Sequence, residues 1–236
     1  MRRVYDQVAT SADESGVTIT LDGKTVKTPA GRPLILPHAP LAEAVAEEWA
    51  SQGETIEPDS MPFMRLAATA IDRVTDHRNE VVDEIAAYSE TDLLCLRAAE
   101  PADLKARQAQ DWQPLLDWCA ERFGARLVVA EGVIAAPQES AAVKALRAAV
   151  DGYDVMSLAA LHGLTATSGS LIIALALADG HIDVETAWRL SRIDESFQAE
   201  RWGEDTEARD YAERLRVALF NSARFLKLCN HVKIAS

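Results

Sequence analysis

Glu195 is the residue of this chain whose type and surroundings most clearly suggest chemistry. It stands seven residues after Trp188 and seven before Trp202, a spacing close to two helical turns. At ~100° per residue, the carboxylate and both indoles share one face of a predicted helix, while Ile193 and Phe197 form a core stripe on the other side. Two interpretations stay open: a helix buried on both sides with a satisfied carboxylate, or a surface that recognises a partner.

Other residue patterns give little support for catalysis. Residues 23–25 (GKT) end like a phosphate-binding loop, but Thr18 stands where that loop needs a glycine. Residues 168–170 (SGS) lack the flanking glycines of a nucleophile elbow and predict a helix start instead. The five histidines show no H-x-x-x-H pair, and the adjacent Asp194 and Glu195 point ~100° apart on a helix. We therefore expect no cofactor, no metal ion and no enzymatic activity.

Composition and charge limit the class of protein. A chain of 236 residues can bury a sizeable core, as one large domain or two smaller ones. Its formal net charge of −13 disfavours nucleic acid and anionic membranes, because both require a basic surface. The strongest apolar run, residues 171–178, is far shorter than the ~20 residues that span a bilayer. We expect a partner that is neither nucleic acid nor membrane, and no membrane insertion.

The cysteines and the first residues predict the compartment. Cys95, Cys119 and Cys229 are isolated, odd in number and set in apolar surroundings, so we expect small buried side chains rather than disulfides. Such usage is typical of a reducing compartment. Residues 1–10 contain no apolar run of the kind found in a signal peptide. The sequence thus predicts a soluble intracellular protein.

The pattern of hydrophobic residues changes once along the chain. Residues 17–21 and 24–28 predict two strands, joined by a hairpin turn at Asp22 and Gly23. A helix follows from Leu41 to Trp49, and its apolar stripe directs Trp49 towards the junction of the strands with the helices that come after. We predict an α+β fold with a small β-rich N-terminal domain (residues 1–60) and a larger, mostly helical domain (residues 61–236).

The second domain carries several local helix signals. Gly180 stands where a helix commonly ends, and Asp183 where the next one begins, which predicts a single helix over residues 183–202. A further helix covers residues 104–123, with Pro114 expected at a break or in a first turn. The last periodic segment covers residues 210–228.

An ordered set of residues across nearly the whole chain resembles one protein family. The set comprises residues 21–29 (LDGKTVKTP), 41–42, 48–49, 52, 56, 58, 61–62, 66, 69–72, 88, 91–92, 108, 112, 114–116, 118, 170–171, 174–176, 195, 197–198 and 202–203. This pattern is similar to that of the assembly chaperones for the α subunit of the F-type ATP synthase. Members of that family have a small β-rich domain joined to a larger helical one.

The resemblance implies a binding function. Family members hold the unassembled α subunit and cover the surface that the β subunit later occupies, and the glutamate of their E-x-F-Q segment, here Glu195, matters for this. The partner-binding residues expected from the resemblance and the helix face are Glu195, Gln198, Trp202, Trp188 and Arg192. The expected structural residues are Trp49 and Asp72. The resemblance also implies a monomer when free, in the bacterial cytoplasm or the mitochondrial matrix.

One departure and one alternative accompany this interpretation. The chain has an acidic run at residues 204–207 (EDTE), where the family commonly has a hydrophobic residue soon after the glycine. The alternative is a small-molecule enzyme of unknown type that uses Glu195, Asp92 and Arg192 in a cleft between the two domains.

Overall fold

The computed structural model describes residues 2–203 and 205–229. A strand-containing N-terminal region precedes a mostly helical part, which confirms the predicted α+β class. The strands are β1 (Val8–Asp13), β2 (Gly16–Leu21), β3 (Lys24–Thr25), β4 (Ile35–Leu36), β5 (Leu96–Arg97) and β6 (Ala130–Glu131). The helices are α1 (Ala39–Ala50), α2 (Pro62–Thr69), α3 (Arg78–Ala87), α4 (Ala102–Phe123), α5 (Ser140–Asp151), α6 (Val155–Ser168), α7 (Leu171–Ala178), α8 (Val184–Ser191), α9 (Ile193–Trp202) and α10 (Thr206–Leu228).

Two compact units emerge from the contacts of the described residues. Unit 1 contains residues 2–78, 154–160 and 224–229, and unit 2 contains Asn79–Tyr153 and Leu161–Ala223. This grouping differs from the boundary expected after residue 60, because α2 packs on α1 and so joins the N-terminal unit. Residues 204 and 230–236 of the predicted helical domain lie outside the described residues. In the described part, no helix is both long and apolar enough to cross a membrane.

The N-terminal sheet is built around β2. It pairs antiparallel with β1, β3 and β4, and its central residue Ile19 is fully buried. The predicted hairpin turn is confirmed: Asp22 (φ 48°) and Gly23 (φ 78°) connect β2 to β3 in the left-handed conformation that a two-residue turn requires. The second strand is shorter than predicted, because β3 ends at Thr25 rather than at residue 28. The Asp22 carboxylate also accepts a hydrogen bond from the backbone N–H of Gln7 at 2.8 Å, which fixes the start of β1.

The predicted first helix is confirmed as α1. Its residues Leu41 and Val45 are fully buried, as the apolar stripe requires. In its last turn, the Glu48 carboxylate accepts hydrogen bonds of 2.7 Å each from the backbone N–H groups of Phe63 and Met64. These donors open α2, so a side chain of α1 satisfies the start of the next helix in unit 1.

Local helix signals in unit 2 are confirmed where they depend on neighbouring residues. Ser170 accepts a hydrogen bond from the Ile173 N–H at 3.0 Å and begins α7, and Asp183 accepts one from Thr186 at 2.7 Å and begins α8. Gly180 follows α7 with φ +70°.

The prediction for Pro114 was wrong, because α4 continues through it. Proline has no N–H, so the carbonyl of Gln110 loses its helical partner at Pro114. Gln110 and Pro114 are both exposed, and water can bind this carbonyl instead.

Candidate partner-binding site

The Glu195 segment consists of two helices rather than one. The predicted single helix over residues 183–202 was wrong: Arg192 (φ −124°, ψ 22°) leaves the helical conformation and separates α8 from α9. Its carbonyl accepts a hydrogen bond from the Ser196 N–H at 2.9 Å, which starts α9. The break therefore lies in the middle of the segment on which the binding prediction rests.

A row of polar contacts along α4 fixes the orientation of α8 and α9. The contacts are the Arg107–Glu200 ion pair (2.8 Å), the Arg189–Asp111 ion pair (2.8 Å), the hydrogen bond from Gln108 Nε2 to Asp194 Oδ1 (2.6 Å), the hydrogen bond from Trp112 Nε1 to the Leu190 carbonyl (2.9 Å), and the Arg201–Asp103 ion pair. Gln108 and Trp112 are fully buried, so the centre of this row is shielded from water. The side of α9 that carries Glu195 is thereby left away from α4.

A groove of about 280 Å³ runs between α8–α9 and α10 in unit 2. The α8–α9 wall contributes an indole, a guanidinium, a carboxylate and two small side chains, and the α10 wall contributes three charged residues and an alanine. The residues lining the groove are Trp188, Arg192, Glu195, Ser196, Ala199, Arg209, Ala212, Glu213 and Arg216. The groove is therefore polar at its walls and has one flat aromatic surface.

Three of the five predicted binding residues meet in this groove. Arg192 Nη1 lies 2.7 Å from Glu195 Oε1, and the Arg192 guanidinium lies 5.6 Å from the centre of the Trp188 ring. The Arg192 side chain is 17% exposed and the Glu195 side chain 49%. The guanidinium is thus held between indole and carboxylate, while about half of the carboxylate surface stays open to a partner.

The other two predicted binding residues lie outside the groove. Trp202, the last residue of α9, is 75% exposed, and Gln198 is also exposed. Gly203 (φ +80°) ends the helix directly after the indole. Tryptophan is enriched among the residues that anchor protein interfaces, so the exposed indole is a candidate contact for a partner. Whether Gln198 and Trp202 bind a partner remains a prediction.

Sequence reasoning missed the α10 wall. Arg209, Ala212, Glu213 and Arg216 recur at the spacing of one helical face, a signal that the sequence does contain. Arg216 forms an ion pair with Glu185 of α8 at 3.2 Å. The wall was not predicted because helical periodicity alone does not say which distant helix a charged face will oppose.

Asp92, the third residue of the enzyme alternative, is buried elsewhere in unit 2. It is fully buried and accepts hydrogen bonds from Ser170 Oγ (2.7 Å), Leu94 N (3.0 Å) and Ile172 N (3.2 Å). Burial raises the pKa of Asp92 to about 6, although these hydrogen bonds favour its charged form. None of its partners lines the groove, so the structure does not bring Asp92 together with Glu195 and Arg192.

The two residues expected to be structural both lie in unit 1. Asp72 accepts a hydrogen bond from Thr28 Oγ1 at 2.6 Å and another from the backbone N–H of Ala30 at 3.1 Å. Trp49 packs edge-on against Tyr5 with ring centres 5.9 Å apart, and the Tyr5 hydroxyl donates to the Trp49 carbonyl at 2.7 Å. These contacts agree with structural roles for Asp72 and Trp49, which stay predictions until they are tested.

The described cysteines form no disulfide, and the described His, Cys, Asp and Glu side chains form no metal site. Cys95, Cys119 and Cys229 are buried free thiols, as predicted, and burial raises the pKa of each to about 12. Within residues 2–203 and 205–229, no group of three His, Cys, Asp or Glu side chains has the arrangement of a metal site.

Comparisons with known proteins agree on one class, a chaperone. Residues 2–120 match the model of the ATP12 chaperone protein family. The crystal structure of Atp12 from Paracoccus denitrificans has a TM-score of 0.93 and 43% identity, and the match covers 97% of this chain and 98% of that one. The mitochondrial protein atp12 of Schizosaccharomyces pombe is 25% identical over 236 residues, or 94% of this chain and 81% of its own.

The mitochondrial ATP12 of Saccharomyces cerevisiae is 24% identical over 267 residues, covering 92% of this chain and 82% of its own. This chain belongs to the ATP12 chaperone family. The family takes part in the assembly of the F1 sector of ATP synthase. The resemblance expected from the sequence is thereby confirmed at the level of the family.

Proposed function

We propose that this chain binds the unassembled α subunit of the F-type ATP synthase and shields the surface that the β subunit later covers. The groove between α8–α9 and α10, together with the exposed Trp202, forms the binding surface. Glu195 offers a charge-assisted acceptor to a basic or amide donor on the client.

The observation that carries this proposal is the Trp188–Arg192–Glu195 stack. The Arg192 guanidinium lies 5.6 Å from the centre of the Trp188 ring and pairs with the half-exposed Glu195 carboxylate. Tryptophan and arginine are two of the residue types that most often supply the binding energy of protein interfaces. The α4 contacts hold this cluster in place before any client arrives, so little ordering entropy is lost on binding.

Physical chemistry explains why the α subunit would need such a partner. Its face towards the β subunit is destined to be buried in a ring, and such a face aggregates when it is exposed during assembly. Because the client must later be released, we expect a transient, partly polar interface rather than a sealed apolar one. The charged walls of the groove meet that requirement.

Further parts of the proposal concern the conditions of binding. We expect the free chain to be a monomer that needs neither nucleotide nor metal, because a stacking and ion-pair surface requires neither. The expected location is the bacterial cytoplasm, or the mitochondrial matrix in a eukaryote. No observation on the groove favours the enzyme alternative, because Asp92 lies apart from it.

The test is a direct titration of purified α subunit with this chain. Calorimetry measures the binding, and size-exclusion chromatography measures the size of the complex. We expect a 1:1 complex that forms without β subunit, nucleotide or magnesium, and less aggregation of the α subunit in light scattering. A chain that binds the β subunit but not the α subunit, or neither, would contradict the proposal.

A further inference from the structure

Two charged side chains in the groove have no partner within the described residues. Arg209 and Glu213 both line it from α10, and both are exposed. Among residues 2–203 and 205–229, neither side chain forms a hydrogen bond or an ion pair. By contrast, Arg192 is paired with Glu195, and Arg216 is paired with Glu185. The two unpaired charges therefore belong to one wall.

Each wall of the groove carries both positive and negative side chains, and the ion pair of Arg216 with Glu185 joins α10 to α8. Glu213 on α10 could pair with Arg192, and Arg209 on α10 could pair with Glu195. Among the described residues, neither of these two ion pairs is formed. Small side chains, Ala199 on α9 and Ala212 on α10, line the space between the walls. The space is thus wide enough, and charged enough on both sides, to receive side chains from another molecule.

We propose that Arg209 and Glu213 recognise an acidic and a basic side chain of the α subunit and so set the register in which the client lies in the groove. This inference rests on the proposed function. Residues four apart on a helix have Cβ atoms about 5–6 Å apart, so Arg209 and Glu213 favour a client segment whose acid and base lie close together on one face. Such a pair fixes orientation and discriminates against other partners more than it adds affinity.

The chain offers a matched control for this proposal. Asp210 and Arg214 are also an acid and a base four residues apart on α10, and both are exposed, but neither lines the groove. The test variant is the double exchange R209E/E213R, and the control is D210R/R214D. Each exchange preserves the net charge, the composition and the helical spacing.

The experiment measures the affinity of full-length wild type and both double variants for purified α subunit, at low and at moderate salt. We expect R209E/E213R to weaken binding by about tenfold or more, and the control to change it by no more than about twofold. Salt should weaken the wild type more than R209E/E213R, because only the wild type makes the screened contacts. Circular dichroism melts check that both variants fold, and the single variants R209A and E213A replace the exchange if it does not.

The outcomes separate this inference from the proposed function. If the wild type binds the α subunit and R209E/E213R binds as tightly as the control, the register proposal is wrong while the proposed function stands. If the wild type does not bind, both fail. If sedimentation shows that the wild type dimerises and the exchange abolishes the dimer, a second copy of the chain occupies the groove, and the proposal is overturned.

Discussion

Arg192 and Glu195 are joined across the first turn of α9 by an ion pair of 2.7 Å, at the point where α8 ends. The pair shapes the candidate site in two ways. It holds the Arg192 guanidinium, which also lies over the Trp188 ring, in one position on the groove wall, and it leaves part of the Glu195 carboxylate accessible. The break between the helices is therefore linked directly to the group that we expect to meet the client.

Replacing Glu195 by glutamine or alanine should impair client binding and leave the fold intact. Exposed ion pairs contribute about 0–1 kcal/mol to stability, and Glu195 is 49% exposed, so unfolding should change little. Binding to the α subunit should fall by about tenfold, because a charge-assisted hydrogen bond is lost. Calorimetry and thermal melts measure the two effects on the same samples.

Glu200 provides the control for this prediction. It lies on the same helix, is 59% exposed and pairs with Arg107 on the α4 side. E200Q should cost a similar, small amount of stability without weakening the complex. A large loss of stability in E195Q, or equal binding defects in both variants, would show that Glu195 acts through the fold.

Replacing Trp49 by arginine should collapse the yield of folded protein. The change removes a half-buried indole that packs against Tyr5 and places a charge in its position. Losing a fully buried aromatic side chain costs about 3–5 kcal/mol. The half-buried indole should account for part of that amount, and the unpaired charge adds to the loss. Soluble expression and urea unfolding measure the outcome.

The conservative variant W49F should remain folded and bind the client. The Trp49 Nε1 atom has no hydrogen-bond partner within the described residues, so its loss should cost little. A soluble, well-folded W49R that fails only in binding would place Trp49 in the interface instead.

The stability of the protein should depend on pH through Asp92. Burial raises the pKa of Asp92 from 3.8 to about 6, so the folded state binds this proton more tightly than the unfolded chain. The contribution of Asp92 to the free energy of unfolding is then fully present below about pH 4 and is lost as pH rises through about 6. At about 1.4 kcal/mol per pKa unit, the loss amounts to roughly 3 kcal/mol.

Urea unfolding of the wild type and of D92N, from pH 4 to pH 8, tests this dependence. The difference in free energy of unfolding, wild type minus variant, should fall between pH 4 and about pH 6 and stay constant above about pH 7. A difference that is independent of pH, or that rises over that interval, would mean that Asp92 is charged at low pH in the folded state.

Nucleotide and magnesium should not bind to the isolated chain. Gly23 belongs to a hairpin turn and Lys24–Thr25 to strand β3, so residues 23–25 are not the strand-to-helix loop of a phosphate site. Calorimetry with ATP, with and without magnesium, should show no heat at sub-millimolar concentrations. Stoichiometric binding of nucleotide that a point mutation removes would contradict this prediction and favour the enzyme hypothesis over the chaperone hypothesis.

Features set by neighbouring residues could be predicted, and features set by distant ones could not. Asp22 with Gly23, and Asp183, act on backbone groups within a few positions, so their residue types suffice. The break at Arg192 has no proline or glycine to announce it. It accompanies the contacts of α4, such as Gln108 with Asp194, which join residues 86 positions apart.

The candidate site shows the same limit. Trp188 and Glu195, which the sequence places on one helix face, both line the groove, although a break in the helix lies between them. Trp202 does not line it, because it lies two turns beyond Glu195, at the last residue of α9. Arg209 and Glu213 have the spacing of a helical face, yet only the fold places that face opposite α9.

Competition between this chain and the β subunit for the α subunit tests the central claim most directly. A preformed 1:1 complex of this chain with the α subunit is titrated with purified β subunit, and native mass spectrometry follows every species. We predict that the β subunit releases this chain in proportion to the αβ complex formed, with no species that contains all three proteins. A stable ternary complex, in which α holds β and this chain together, would contradict the account, because the two would then occupy different surfaces.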